Sequence, residues 1–255
     1  MDIGRPAAPD YGHGEAATYS LRRTGVGQLY DRAAGMVRAI YDSRIATPAT
    51  LKPDHYFPNA ERFAERWSDI RREALGVAGM LDHVPRFHDI MPAQADISAN
   101  DGRDWRVFIM KAYGVTVADN LRRCPTVASL LDGAPEVVSA ILSFLAPGKH
   151  IPEHRGPFRG ILRYHLMLSM PCDGNGIPAC VMNIDGMPYR LGDGDSLLWD
   201  DTYRHEVWNS SDQVRIALLL DVWRRDMPMD VALLSRAILL GTQAVIRMGG
   251  MSYGG

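Results

Sequence analysis

The side chains best suited to chemistry in this sequence are three histidines and two arginines in its C-terminal half. His154 ends the run PGKHIPEH and precedes an Arg155-Gly156-Pro157 turn. His205 lies 51 positions further on, in DDTYRHEVW, at the start of a predicted strand. Two neutral imidazoles on facing strands suit Fe, Zn, Cu or Ni. Spacing alone does not separate such a pair from two structural histidines. In GILRYHLMLSM, strand alternation puts Arg163 and His165 on one face with Ile161 and Met167. Leu162, Tyr164, Leu166 and Leu168 take the other face. If both faces are covered, an arginine and a histidine sit together inside, where an unpartnered polar group costs about 1–3 kcal/mol. If one face is open, both are simply solvated. Arg215, ten residues after His205, interrupts an apolar stretch over 214–222 and is costly there unless it meets an anion. Two histidines and inward arginines point to a metal site beside a carboxylate-binding site.

These residues need a scaffold of strands. Beyond Gly133 the chain is a series of short apolar runs: VVSAILSFL, GILRYHLMLSM, ACVMNI, DSLLWDD, RHEVW and VRIALLLDVW. The breaks between them are APGK, PCDGNG, DGMP, LGDGD and NSSD. Many short strands with regular turn signals predict a β-sandwich, jelly roll or barrel. Trp105, Val107 and Ile109, alternating with Arg106, Phe108 and Met110, predict a buried strand upstream. Residues 204–208 and 213–222 are expected to pair as a hairpin across NSSD. That pairing sets Arg215 opposite Glu206, and cross-strand partners share a face. His205 and Arg215 then face inward together only through an odd loop or a bulge.

Helical spacing predicts an early helix over 26–40. A second, capped by Asn59, carries Phe63, Trp67, Ile70 and Ala74 on one face. A short helix is expected over 126–133. After Pro228, Leu234, Ile238, Gly241, Val245 and Met248 fall on one face of a last helix. The expected organisation is a disordered arm over 1–25, rich in Gly, Pro and Ala, and one domain over 26–228. That domain has a helical part (26–100) and a jelly-roll core (104–224), with a C-terminal helix and tail over 229–255.

Composition excludes some roles. A net charge of -2 argues against nucleic-acid binding. No run of about 18 uncharged apolar residues exists, so no membrane span is expected. The N-terminus lacks the apolar core of a secretory signal. Three widely spaced cysteines, Cys124, Cys172 and Cys180, fit reduced thiols in a cytoplasmic protein. Segment 229–248 could lie on a membrane as a peripheral amphipathic helix, but packing on the protein itself is the plainer expectation.

The stretch from His154 to His165, the stretch from Asp200 to Asn209, and Arg215 with Asp221-Val222-Trp223 together resemble the aspartyl/asparaginyl β-hydroxylase family. Residues 105–114, Arg123-Cys124-Pro125, and Ser143 with Pro147-Gly148-Lys149 add to the likeness. The resemblance implies an Fe(II)- and 2-oxoglutarate-dependent dioxygenase with a double-stranded β-helix (jelly-roll, cupin-like) core, using O2. It implies Fe(II) binding by His154 and His205. It also implies that Arg215 holds the distal carboxylate of 2-oxoglutarate, with Ser143, Arg163 and His165 assisting. Non-haem iron oxygenases commonly add a carboxylate ligand two residues after the first histidine. Here that position is Gly156, as in the named family, which predicts weak iron binding without cosubstrate. Glu153 is expected to point away, and Asp200 and Asp201 to organise the turn before His205. Trp199 and Trp208 flank His205, where packing is the plainer role and pocket lining the alternative. The expected reaction is hydroxylation of the β-carbon of an aspartyl, asparaginyl or related amino-acid centre, in a peptide or free. The alternatives are a lipid A-type acyl-chain 2-hydroxylase and a non-catalytic metal-binding jelly roll.

Overall fold

The computed structural model describes residues 25–249. The expected N-terminal arm lies outside them except for Gly25, which starts the first helix. The chain begins with α1 (Gly25–Asp42), β1 (Thr50–Leu51), α2 (Pro53–Tyr56), α3 (Ala60–Glu65), α4 (Trp67–Ala78), α5 (Phe87–Ile90) and α6 (Ala95–Ser98). It continues through β2 (Trp105–Ala112), β3 (Val115–Thr116), α7 (Ala118–Arg123), α8 (Pro125–Asp132), β4 (Val137–Leu145) and β5 (His150–His154). The remaining strands are β6 (Ile161–Ser169), β7 (Cys180–Ile184), β8 (Met187–Tyr189), β9 (Ser196–Trp199), β10 (His205–Asn209) and β11 (Arg215–Trp223), followed by α9 (Met229–Gly249).

Two antiparallel sheets form a jelly-roll sandwich. The larger has the order β1-β9-β6-β11-β4-β2-β3 and the smaller β5-β10-β7-β8. The larger sheet is covered on both faces, which explains why β4, β6 and β11 read as near-continuous apolar runs. Its outer face carries Phe108, Leu142, Phe144, Tyr164, Leu166 and Leu218 against Phe57, Phe63, Ile70 and Ala74 of the helical layer. Each fully buried side chain of this size contributes roughly 2 kcal/mol relative to exposure, so the helices are a fixed buttress. Its inner face meets the smaller sheet through Trp105, Val107, Leu145 and Trp199 against Ile151, Met182, Ile184 and Val207.

The expected hairpin between residues 204–208 and 213–222 does not form. β10 pairs with β5 and β7 in the smaller sheet, whereas β11 pairs with β4 and β6 in the larger. The NSSD segment crosses between sheets, so His205 and Arg215 both face the interior without an odd loop or a bulge between them. Asn209 fixes the crossing: its Nδ2 donates to Leu145 O, Ala146 O and Gln213 O at 2.8–3.0 Å. The expected Asn59 helix is two helices that break at Arg66. Asn59 makes no capping bond, because its side chain is taken by Glu136 (2.7 Å) and Arg62 (2.9 Å).

α9 corrects one expectation. By length and composition it is apolar enough to cross a membrane, since its only charged residues are Asp230, Arg236 and Arg247. It nevertheless docks along the domain through buried Val231, Ser235 and Ile246.

The turn into β5 is pinned by a buried ion. Lys149 is fully buried, and its Nζ donates to Ser98 O (2.7 Å), Asn100 Oδ1 (2.7 Å) and Asp101 Oδ1 (2.6 Å). Asp101 also accepts from His150 N (3.0 Å), the first residue of β5. Removing one partner of a buried pair costs about 3–5 kcal/mol, and Asp101 keeps some solvent contact. Lys149→Met is therefore expected to lower stability by about 3 kcal/mol. A denaturant midpoint that falls with unchanged slope would report it.

Candidate active site

β5 and β10 set the two metal-type histidines face to face. His154 and His205 are direct cross-strand partners, so their side chains share a face. Their ring centroids lie 4.0 Å apart. β5 is an edge strand, and its register with β10 shifts between this pair and Ile151, at Pro152 and Glu153. Proline is tolerated at such a bulged edge because no ladder N–H is needed. Glu153 turns outward, as expected, and pairs with Arg204 at 2.6 Å.

Both imidazoles are held in one tautomer. His154 Nδ1 lies 2.7 Å from Pro152 O, and His205 Nδ1 lies 2.9 Å from Tyr203 O. A carbonyl only accepts, so each Nδ1 carries the hydrogen and each Nε2 keeps a lone pair. Burial lowers the proton affinity of both rings, and His154 lowers His205 further. Two neutral imidazoles with free Nε2 atoms form the donor set a transition metal takes. Trp199 backs them, with its ring 4.6 Å from His205 and 5.5 Å from His165. Trp208 instead stacks on His150 at 4.8 Å.

The larger sheet contributes the cationic part. Register places Ser143 opposite Ala217, Leu145 opposite Arg215, His165 opposite Leu219 and Arg163 opposite Asp221, all on the inner face. Arg215 is buried and lines a small cavity with Met167, Cys180, Met182 and Val207, residues of both sheets. Its Nε has no hydrogen-bond partner among the described residues, and burial lowers its proton affinity. Arg163 differs: its Nε donates to Asp221 Oδ1 at 2.9 Å, and its Nη1 lies 3.4 Å from Asp201 Oδ2. Burial alone would weaken the Arg163 charge, but these carboxylates strengthen it. His165 lies well below the usual imidazole range through burial, then through Arg215 and Arg163. Ser143 Oγ accepts from Trp105 Nε1 at 3.0 Å, which leaves its hydroxyl hydrogen to donate.

The adjacent acids before His205 do different work. Asp200 organises the turn as expected. It accepts from Thr202 N (3.0 Å) and Oγ1 (2.6 Å) and pairs with Arg159 (2.8 Å) and Arg224. Asp201 departs from its expected turn role and enters the site. Its carboxylate fills the space beside Gly156, where a Cβ on that residue would overlap all three carboxyl atoms. Burial pushes Asp201 up to about 6; Arg163 opposes the rise, while Asp221 and Asp200 add to it. Asp201 is the residue that sequence reasoning missed.

Four buried polar atoms here lack a partner among the described residues: His165 Nδ1, Arg215 Nε, Trp199 Nε1 and Asp201 Oδ1. Each such orphan costs about 1–3 kcal/mol, so their gathering around the histidine pair marks a place built to receive a polar guest. No three His, Cys, Asp or Glu side chains converge on a metal position among the described residues. The protein donors on offer are thus two imidazoles with one carboxylate nearby.

A family model described as aspartyl/asparaginyl beta-hydroxylase matches residues 64–225. The chain is 33% identical over 165 residues to the ornithine lipid ester-linked acyl 2-hydroxylase of Rhizobium tropici, covering 65% of this chain and 57% of that one. It is 26% identical over 183 residues to the human aspartyl/asparaginyl beta-hydroxylase, covering 70% of this chain and 23% of that one. It is 30% identical over 142 residues to human aspartate beta-hydroxylase domain-containing protein 2, covering 52% and 37%. The match therefore spans only part of each of these relatives.

Proposed function

Because the chain belongs to the aspartyl/asparaginyl beta-hydroxylase family, we propose that it is an Fe(II)- and 2-oxoglutarate-dependent hydroxylase of a methylene next to a carbonyl. The observation that carries the reading is the pairing of two tautomer-locked imidazoles with a buried arginine that has an unmet donor. His154 and His205 would hold the iron. Arg215, with Ser143 and His165 on the same sheet face, would hold the dicarboxylate. When bound, iron and 2-oxoglutarate supply the oxidising power that lets O2 hydroxylate an unactivated C–H bond.

The chain's own residues do the positioning. Arg215 gives the distal carboxylate a planar, permanently charged partner in a dry cavity, where charge-assisted hydrogen bonds are strong. Pro152 O and Tyr203 O orient the two ligand rings through their Nδ1 hydrogens. Arg163 has its charge met by Asp221 and Asp201, so it steadies the Asp201 carboxylate behind Gly156. Trp199, itself buried, packs edge-to-face against the His205 ring.

The substrate class follows from what the named relatives share. The β-carbon of aspartate or asparagine bears a side-chain carbonyl, and carbon 2 of an acyl chain bears its ester carbonyl. Both activities oxidise the carbon beside a carbonyl. The acyl reading is favoured by the fuller overlap with the acyl hydroxylase, 57% of that protein against 23% of the human aspartyl/asparaginyl enzyme.

Anaerobic titration of the metal-free protein with Fe(II) and 2-oxoglutarate tests the reading. A visible charge-transfer band that needs both components is expected. Arg215→Ala should weaken the apparent 2-oxoglutarate affinity at least about 30-fold, since breaking a buried charge pair costs about 2–5 kcal/mol. Proven metal uptake with no band at saturating 2-oxoglutarate would sink the cosubstrate assignment. Mass spectrometry for one added oxygen on acyl lipids and on aspartyl peptides then separates the two substrates.

A further inference from the structure

α9 buries Val231, Ser235 and Ile246 on one side. Asp230 pairs with Arg44 at 2.8 Å, Ser235 Oγ lies 2.5 Å from Tyr41 Oη, and Gln243 lies against Gly114. The opposite side repeats Met229, Leu233 and Leu240 at helical spacing, each more than half exposed. Ala237 and Ala244 continue this apolar side, and Arg236 and Arg247 lie along one edge of it, also exposed. The sole acid of α9 is Asp230, already answered by Arg44. α1, held to α9 through Tyr41, exposes Leu29, Met36 and Ile40 together with Arg32. α1 also borders the candidate site, since Arg38 Nη1 donates to Gly156 O at 3.0 Å.

We propose that the exposed stripe of α9, with that of α1 beside it, docks the protein on an anionic lipid bilayer. An exposed apolar stripe bordered by arginines is the pattern of a helix that lies in the interfacial plane. Crossing the bilayer would strip Ser235, Asp230 and Gln243 of their contacts, so α9 lies on the membrane and does not span it. A second copy of the chain is the poorer occupant, because an isologous contact offers Arg236 and Arg247 no free carboxylate from α9. Lipid phosphates answer them, each apposed arginine strengthening binding about fivefold. The docking itself is independent of the catalytic reading. Its bearing on substrate, that the reacting carbon is delivered from a membrane lipid, rests on the hydroxylase reading.

The test is co-sedimentation of the full chain with phosphatidylcholine vesicles with and without phosphatidylglycerol. Binding is expected to the anionic vesicles and to weaken as salt rises. Leu233→Glu with Leu240→Glu should weaken it at least tenfold while leaving the thermal midpoint and the iron/2-oxoglutarate band unchanged. Should that variant not fold, Arg236→Gln with Arg247→Gln should remove most of the dependence on phosphatidylglycerol. No retention of the intact chain overturns the proposal. So does equal retention of the glutamate variant, or a dimer that this variant dissolves without any vesicle binding. Vesicle binding with no iron/2-oxoglutarate band would leave the docking standing and remove the hydroxylase reading.

Discussion

His205→Ala is expected to abolish iron-dependent turnover of 2-oxoglutarate. Loss of an outer partner that merely orients a metal ligand typically costs about 10–100-fold in metal affinity or activity. On the proposed assignment one of two protein ligands goes, in a site where Gly156 cannot replace it, so the loss should exceed that range. The effect is also directional. His205 lies on the central strand β10, between β5 and β7, and its ring packs on Trp199. Truncation therefore leaves a cavity between the sheets and lowers stability as well. Thermal melting of the metal-free variant separates the two losses. The variant should melt cooperatively at a reduced midpoint, whereas its iron uptake should fall by more than about 100-fold against the wild type. His205→Gln keeps more volume and should recover part of the midpoint and little of the iron uptake. Turnover surviving in either variant would remove His205 from the metal site.

The strands were legible where their environment is uniform. β4 carries apolar residues on both faces because both faces are covered, and its observed bounds match the run VVSAILSFL. Arg163 and His165 could be placed on one face by alternation, since β6 runs regularly through both residues. Long-range pairing was not legible. The NSSD segment reads as a hairpin turn, and nothing local distinguishes a return within one sheet from a crossing to the other. The Asn209 bonds to Leu145, Ala146 and Gln213 decide it, and they join residues up to 64 positions apart. β5 was hidden for another reason. HIPEH contains a proline and three charged or titratable side chains on an edge strand with a register shift, so it lacks the apolar alternation of a buried strand. Asp200 and Asp201 show the limit most sharply. Neighbours with identical side chains take opposite directions, one to Arg159 and Arg224 in the turn, the other to the room left by Gly156.

That room makes the second large prediction. Gly156→Asp would place a carboxylate two residues after His154, where other non-haem iron oxygenases carry one. Naive restoration of a third ligand predicts tighter iron binding. The packing predicts the reverse. A Cβ on residue 156 overlaps the Asp201 carboxylate, and the backbone there cannot retreat easily. Gly156 N donates to Asp201 O at 2.6 Å, while Gly156 O accepts from Arg38 at 3.0 Å. Overpacking of this kind costs about 1–3 kcal/mol. Two carboxylates would also share a buried space in which burial already pushes Asp201 up to about 6. Gly156→Asp should therefore lose about 3 kcal/mol or more of stability and most of its iron uptake. Gly156→Ala isolates the steric part and should show a smaller loss of the same sign. Pairing Gly156→Asp with Asp201→Ala removes both the overlap and the repulsion. That double variant should regain the wild-type melting midpoint to within a few degrees and bind iron at least as well as the wild type. Unchanged stability with tighter iron binding in the single Gly156→Asp variant would show that Asp201 does not occupy the space beside Gly156. The double variant would then bring no gain over the single one. Rescue only in the pair would instead show that the space beside residue 156 holds one buried carboxylate, from Asp201 or from position 156, but not both.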